Sequence, residues 1–255
     1  MVTSLDEQAD RLRELHHTGE PLLLPNVWDA GSARVVADAG YPAIATASAA
    51  ISAMLGYSDG EGAPPEEMLA AAGRVSRAVD VPVTVDAEAG YGLPAGELVD
   101  RLLTAGAVGC NLEDTDHAAA TLTSAEAQAD RIAAIRAAAT SAGVDLVINA
   151  RTDTFVHDVA DPVAEAITRA RAYLAAGADC VYPILAKDAA QISRIAQAVS
   201  APVNALCFPA GPTLRTLVEA GATRVSFGPN PYQAALTTLR TITTQISTLT
   251  DPYSR

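Results

Sequence analysis

The chain has 255 residues, 49% hydrophobic but only 4% aromatic, with three cysteines and a formal net charge of -13. An acidic chain with no basic run argues against nucleic acid and anionic membrane surfaces as partners. Three scattered cysteines argue against a disulfide framework or a zinc site. The N-terminus is polar and no apolar run reaches membrane-spanning length, so the expected setting is a reduced cytoplasm.

Ser4-Leu5-Asp6-Glu7 has the form of a capping box and opens a short helix over 4–16. Leu22 to Val27 reads as a first strand, and Asp29-Ala30-Gly31-Ser32 opens a helix that ends before Gly40. Ala43 to Thr46 is a second strand, followed by a small-residue loop over 47–53. Pro64-Pro65-Glu66-Glu67 starts a helix, with proline and acids in its first turn. A strand over 81–85, a helix near 94–105 and a strand from Gly109 to Glu113 follow. A second capping box, Thr123 to Glu126, opens a helix to about Ala142, and the strand Leu146 to Ala150 ends at Arg151. Asp161-Pro162 opens a helix that closes at Gly177. The strands Cys180 to Pro183, Val203 to Leu206 and Val225 to Gly228 alternate with helices near 188–199 and 212–220, and a last helix covers 231–249.

Ala39-Gly40, Ala105-Gly106, Ala176-Gly177 and Ala220-Gly221 each stand between a helix and an apolar strand, where glycine serves as a left-handed cap. Eight strand–helix units in 1–255 predict one (β/α)8 barrel domain of the TIM type, with an open doubly wound sheet as the alternative. Chemistry in such barrels sits at the strands' C-terminal ends. Those ends carry Ser48 and its neighbours after strand two, Asp86 and Glu88 after strand three, Glu113 and Asp114 after strand four, and Arg151 and Asp153 after strand five. Asn204 is placed within or near the end of strand seven. Asp86 and Glu88 stand two apart on extended backbone and so point the same way. Buried carboxylates at neighbouring strand ends call for a hard cation, Mg2+ or the related Mn2+. A cation together with Arg151 then suits an anionic, oxygen-rich substrate such as a 2-oxo carboxylate.

Asp86-Ala87-Glu88-Ala89-Gly90-Tyr91-Gly92 resembles the metal motif of the isocitrate lyase / phosphoenolpyruvate mutase superfamily. Asp29 to Arg34, Ile51 to Asp59, Leu112-Glu113-Asp114 and Asn149 to Asp153 are similar to that superfamily in order and spacing. The resemblance implies a barrel whose last helix is exchanged between subunits of a homodimer or homotetramer. It implies Mg2+ near Asp86, with Glu88 and Glu113 in its shell, partly through water. Asp59 would be an active-site acid, the Ser48-Ala49 region would hold the substrate carboxylate and oxo oxygen, and Arg151 would bind the substrate's acidic end.

Two departures shape the expected activity. The superfamily's lyases carry a cysteine general acid after the strand-four acids, whereas this chain reads Thr115-Asp116-His117-Ala118-Ala119-Ala120. The mutase lysine of that region is also missing, and Glu88 stands where many members have aspartate. The expectation is a Mg2+-dependent carbon–carbon lyase or decarboxylase acting on a small carboxylic acid, with carbon–phosphorus chemistry disfavoured and His117 as a candidate proton donor. The alternative is a 2-oxo acid binding protein with a catalytically weak site. Cys110 and Cys180 read as core residues, and His16 and His17 as surface residues.

Overall fold

The computed structural model describes residues 4–157 and 159–253; the outermost residues of the expected 1–255 domain lie outside these. Its frame is a cylinder of parallel strands. β1 runs Leu22–Leu24, breaks at Pro25 and resumes over Asn26–Val27. β2 is Ile44–Thr46, β3 Val83–Asp86, β4 Gly109–Leu112 and β5 Val147–Thr152. β6 is Cys180–Pro183, β7 Asn204–Leu206 and β8 Arg224–Ser226. The first half of β1 pairs with β8 and the second half with β2, so the interrupted strand closes the seam. Pro25 has no N–H to give to either neighbour, which explains the break. β2 through β6 pair in sequence order, β7 pairs with β8, and a Val181–Val203 bridge joins β6 to β7. The expected (β/α)8 barrel is therefore closed.

Helices follow the strands around the outside. α1 spans Leu5–Leu15, α2 Ala30–Asp38, α3 Ser48–Leu55, α4 Pro65–Ser76 and α5 Ala95–Thr104. α6 spans Ala125–Ser141, α7 Pro162–Ala175, α8 Ala189–Ala198, α9 Leu214–Glu219 and α10 Asn230–Ser247. Strand alternation divides the two faces. Val83, Val85, Cys110, Leu112, Ile148 and Ala150 point outward into one cluster with Leu98, Leu102, Ile132 and Ile135 of the helices. Their sequence neighbours Thr84, Asp86, Gly109, Asn111, Asn149 and Arg151 therefore line the interior. Cys110 and Cys180 are fully buried, as core residues should be.

The N-terminal helix α1 plugs the barrel from below. Ser4 caps it in a full capping box, and Ala9 and Leu12 pack against Leu22, Leu24, Ala43, Ala45, Val108 and Val147. A side chain added at Gly109 would put its Cβ 2.8 Å from Leu12 Cδ2, so glycine makes room for the plug. Just above lies a polar layer. Arg224 is fully buried and donates from Nη2 to Asn111 Oδ1 at 3.1 Å, while Asn149 Nδ2 donates to the same oxygen at 2.7 Å.

His16 is buried too, against the expectation of a surface residue. Its Nδ1 lies 2.8 Å from the Leu12 carbonyl, which can only accept, so Nδ1 carries the proton and Nε2 faces Arg224 Nη1 at 3.4 Å as an acceptor. Burial, and then the neighbouring Arg224, push its pKa down to about 3.

Other local expectations are corrected. The loop over 47–53 is the helix α3, closed by a left-handed Gly56; its Ala, Met and Leu residues are good helix formers. The cap of α6 is Ser124 rather than Thr123. After β4, Thr115–Asp116 and Thr121–Leu122 form a small antiparallel hairpin.

Candidate active site

The upper rim of β2 to β5 gathers the acids anticipated from their spacing. Asp86 ends β3, and its Oδ2 accepts from the Ser48 N–H at 3.0 Å and the Ser48 hydroxyl at 2.8 Å. Ser48 and Ala49 open α3, where amides have no partner from a preceding turn. Burial raises the Asp86 pKa, against the opposing pull of Arg151 and the Ser48 donors. Glu88, 2% exposed, sits in the left-handed region at φ 49. Its Oε1 accepts from the Gly60 and Glu61 amides at 3.0 and 2.7 Å; its Oε2 is buried outside hydrogen-bond geometry, with the buried Tyr91 hydroxyl close enough to the carboxylate that, after burial, Glu88 raises the Tyr91 pKa. Burial, with the charges of Asp86 and Asp59 adding to it, pushes the Glu88 pKa up to about 7.

Glu113 follows β4 and is 3% exposed. One oxygen lies 2.5 Å from His117 Nε2 and the other 2.5 Å from Arg151 Nη1. Arg151 also donates from Nε and Nη2 to the two oxygens of Asp153, at 2.6 and 3.1 Å. Burial opposes the guanidinium's charge, but Asp153, Glu113 and Asp86 outweigh it and hold the group protonated. The Glu113 bond raises the His117 pKa more than burial lowers it.

Asp153 is fixed in turn by the Thr115 hydroxyl at 2.5 Å and by its own amide on Asp114 Oδ1 at 2.8 Å. Asp114 accepts from Arg169 at 3.0 Å and Tyr173 at 2.7 Å. It is thereby a structural anchor beneath the rim.

Asp86, Glu113 and Asp153 thus act on one rim guanidinium, with Glu88 and Asp59 adding charge nearby, an imbalance that a divalent cation would reduce. Among the described residues, no three His, Cys, Asp or Glu side chains are disposed to hold an ion unaided. Glu113 is engaged by Arg151 and His117. Mg2+ keeps several waters and takes one or two carboxylates directly. Asp86, with the unpartnered buried Oε2 of Glu88, fits that mode.

Ser48, Ala49, Asp86, Glu88, Glu113, Arg151 and His117 therefore share one rim. Asp59 is exposed on the loop after α3, near enough that its charge acts on Asp86 and Glu88. Asn204 lies within β7, as its first residue; it is fully buried and accepts from Ser226 Oγ at 3.3 Å beside Arg224 in register. It belongs to the interior layer below the rim.

Glu61 and Arg131 escaped sequence reasoning. Glu61 accepts the Tyr91 amide at 2.5 Å, and Arg131 reaches the carbonyls of Gly90 and Leu93 at 3.4 and 3.2 Å. The paired glycines Gly90 and Gly92 were the available signal that this loop is tightly supported.

Residues 12–247 match the family model described as phosphoenolpyruvate phosphomutase. The chain belongs to this family. A crystal structure from Burkholderia cenocepacia J2315, provisionally assigned as a phosphonomutase, superposes with a TM-score of 0.88 at 43% identity, covering 95% of this chain and 99% of that one. An uncharacterized protein of Mycobacterium tuberculosis (strain H37Rv) is 34% identical over 88% of this chain and 83% of its own length. An oxaloacetate decarboxylase of Pseudomonas entomophila is 33% identical over 88% of this chain and 79% of its own. The phosphoenolpyruvate mutase / isocitrate lyase superfamily comprises enzymes of 2-oxo acid chemistry, built on the TIM barrel seen here. Among the described residues no helix is long and apolar enough to cross a membrane.

Proposed function

We propose that the protein is a divalent-cation-dependent enzyme that breaks a carbon–carbon bond beside a 2-oxo carboxylate, by decarboxylation or retro-aldol-type cleavage, through an enolpyruvate-like anion. The observation that carries this is the rim itself: half-buried Asp86 and buried Glu88, one oxygen of Glu88 outside hydrogen-bond geometry, with the guanidinium of Arg151 acting on Asp86. The decarboxylase relative supports the reaction class, and the absent mutase lysine weighs against carbon–phosphorus chemistry.

Asp86, Glu88 and Glu113 would hold Mg2+ or Mn2+, which would supply Lewis-acid stabilisation of developing negative charge, worth several kcal/mol. The chain's own residues do the rest. Arg151 donates from Nε and Nη2 to Asp153 and pairs through Nη1 with Glu113, and its remaining N–H groups would take a substrate carboxylate. The Ser48 amide is taken by Asp86, and the Ala49 amide in the same first turn would favour an anionic substrate oxygen. Ser48 keeps Asp86 oriented. His117, bound to Glu113 and a quarter exposed, would return a proton to the enolate carbon. Asp59 adds negative charge that favours the cation. The partner expected in solution is a second copy of the chain, because α10 is an amphipathic helix with no buried residue and with Leu239 and Ile246 each 54% exposed.

The test is an NMR time course on oxaloacetate, 2-methylisocitrate, malate and phosphonopyruvate, with Mg2+ or with a chelator, each against an enzyme-free control. Metal-dependent loss of one carboxylic acid above the control is the expected outcome. If every component persists while some resonances broaden only with Mg2+, the missing lyase cysteine is better explained by a binding protein.

A further inference from the structure

Glu88 does two things that a shorter acid at its position could not do together. Its Oε1 takes two consecutive backbone amides, Gly60 at 3.0 Å and Glu61 at 2.7 Å, from the loop that carries Asp59. Its Oε2 is buried and unpartnered. The grip is reciprocal, because Glu61 Oε1 accepts the Tyr91 amide on the loop that carries Glu88.

Both loops are bent into costly shapes at the junction. Glu61, Glu88 and Tyr91 are non-glycine residues at φ 60, 49 and 57, a strained region that persists only where the surroundings enforce it. The enforcing contacts are the two amide bonds to Glu88, the Tyr91–Glu61 bond, and the Glu113 N–H donated to the Glu88 carbonyl at 2.9 Å. The far side of the Asp59 loop is also held close: a Cβ at Gly60 would lie 3.2 Å from His117 Nδ1.

We propose that Glu88 is a clasp, a positioning residue whose one oxygen fastens the Asp59-bearing loop over the rim while the other faces the cation site. The glutamate, in place of the aspartate common in the superfamily, is what makes both reaches possible. The cation half of this assignment rests on the metal reading above; the clasp half does not.

Two variants separate the halves. Glu88→Gln keeps a carbonyl oxygen that can accept both amides but replaces the second oxygen with an NH2 that cannot face a cation. Glu88→Asp keeps the carboxylate on a side chain one methylene shorter. Amide hydrogen exchange at Gly60 and Glu61, measured without metal, reads the clasp, and calorimetric Mg2+ titration reads the other oxygen. The expectation for Glu88→Asp is at least about tenfold faster exchange at both amides with Mg2+ binding retained. For Glu88→Gln it is protected amides with Mg2+ affinity down about tenfold or more. Unchanged exchange in Glu88→Asp, or lost protection in a folded Glu88→Gln, overturns the clasp. Wild-type protein that binds no Mg2+ would overturn the metal reading, and the clasp would then stand or fall on the exchange rates alone.

Discussion

The two ends of the barrel interior handle buried charge in opposite ways. On the floor, Arg224 has no acid partner within ion-pair range among the described residues, yet neutral groups surround it: Asn111 accepts from it and a neutral His16 offers Nε2. At the rim, acids outnumber the guanidinium; unpartnered buried polar atoms occur at both ends, Glu88 Oε2 above and Arg224 Nε and Asn149 Oδ1 below, so it is the excess of negative charge that sets the rim apart. A buried polar group left unpaired costs about 1–3 kcal/mol. The floor is closed off by α1 and works as structure. The rim keeps an unmet electrostatic demand, which is what a binding site requires.

This contrast is open to direct attack, and the largest effect should come from Asp86→Ala. Mg2+ affinity should fall at least about a hundredfold in calorimetry, while the melting temperature changes little, because the rim contributes ligands rather than core. Unchanged affinity would remove the metal assignment. Leu12→Ala should do the reverse. Fully buried against the floor strands, Leu12 should cost about 2–5 kcal/mol of stability in denaturant titration and leave Mg2+ affinity alone. If both variants lose both properties, the two ends are not separable.

A chain shortened before Pro231 should lose its self-association in light scattering, since α10 then no longer supplies its apolar face; an unchanged oligomer would mean that the copies meet elsewhere.

The smallest effect concerns pH. The folded-state pKa of His16 is about 3, below its unfolded value near 6.5, so protonation favours the unfolded chain. This contribution to stability is complete above about pH 6.5 and falls by up to about 1.4 kcal/mol per unit as pH drops from there toward 3. A His16→Gln variant should show a shallower acid limb in thermal melts between about pH 6 and pH 4; an identical limb would show that His16 is not a source of the acid sensitivity.

How far this was readable from the chain depended on range. The Ala-Gly caps and the acids at strand ends are local signals, and the barrel and its acidic rim follow from them. The helix α3 was misread because Ser48 to Ala53 is built of small residues that suit loops and helices equally; its start is fixed by Asp86, 38 positions away. The buried state of His16 was invisible for the same reason, since its neighbour Arg224 is 208 positions distant. Thr115, which steadies Asp153 across 38 positions, sits in a segment that shows only what it lacks. Glu88 was legible as an acid of the rim, but its hold on Gly60 and Glu61 is a property of three-dimensional closure.

The interrupted first strand has a consequence for the order of assembly. β1 can pair with β2 once about fifty residues exist, yet its other half must wait for β8 at Arg224–Ser226. The rim residues Ser48 to Asp153 are all made before that. During synthesis, then, the acids come together on a partial cylinder whose edges are unpaired. Such long-range closure is slow and leaves strand edges exposed meanwhile. The nascent chain should therefore depend on chaperones until its last quarter emerges, and ribosome-bound fragments ending before residue 220 should be far more sensitive to protease than the released protein.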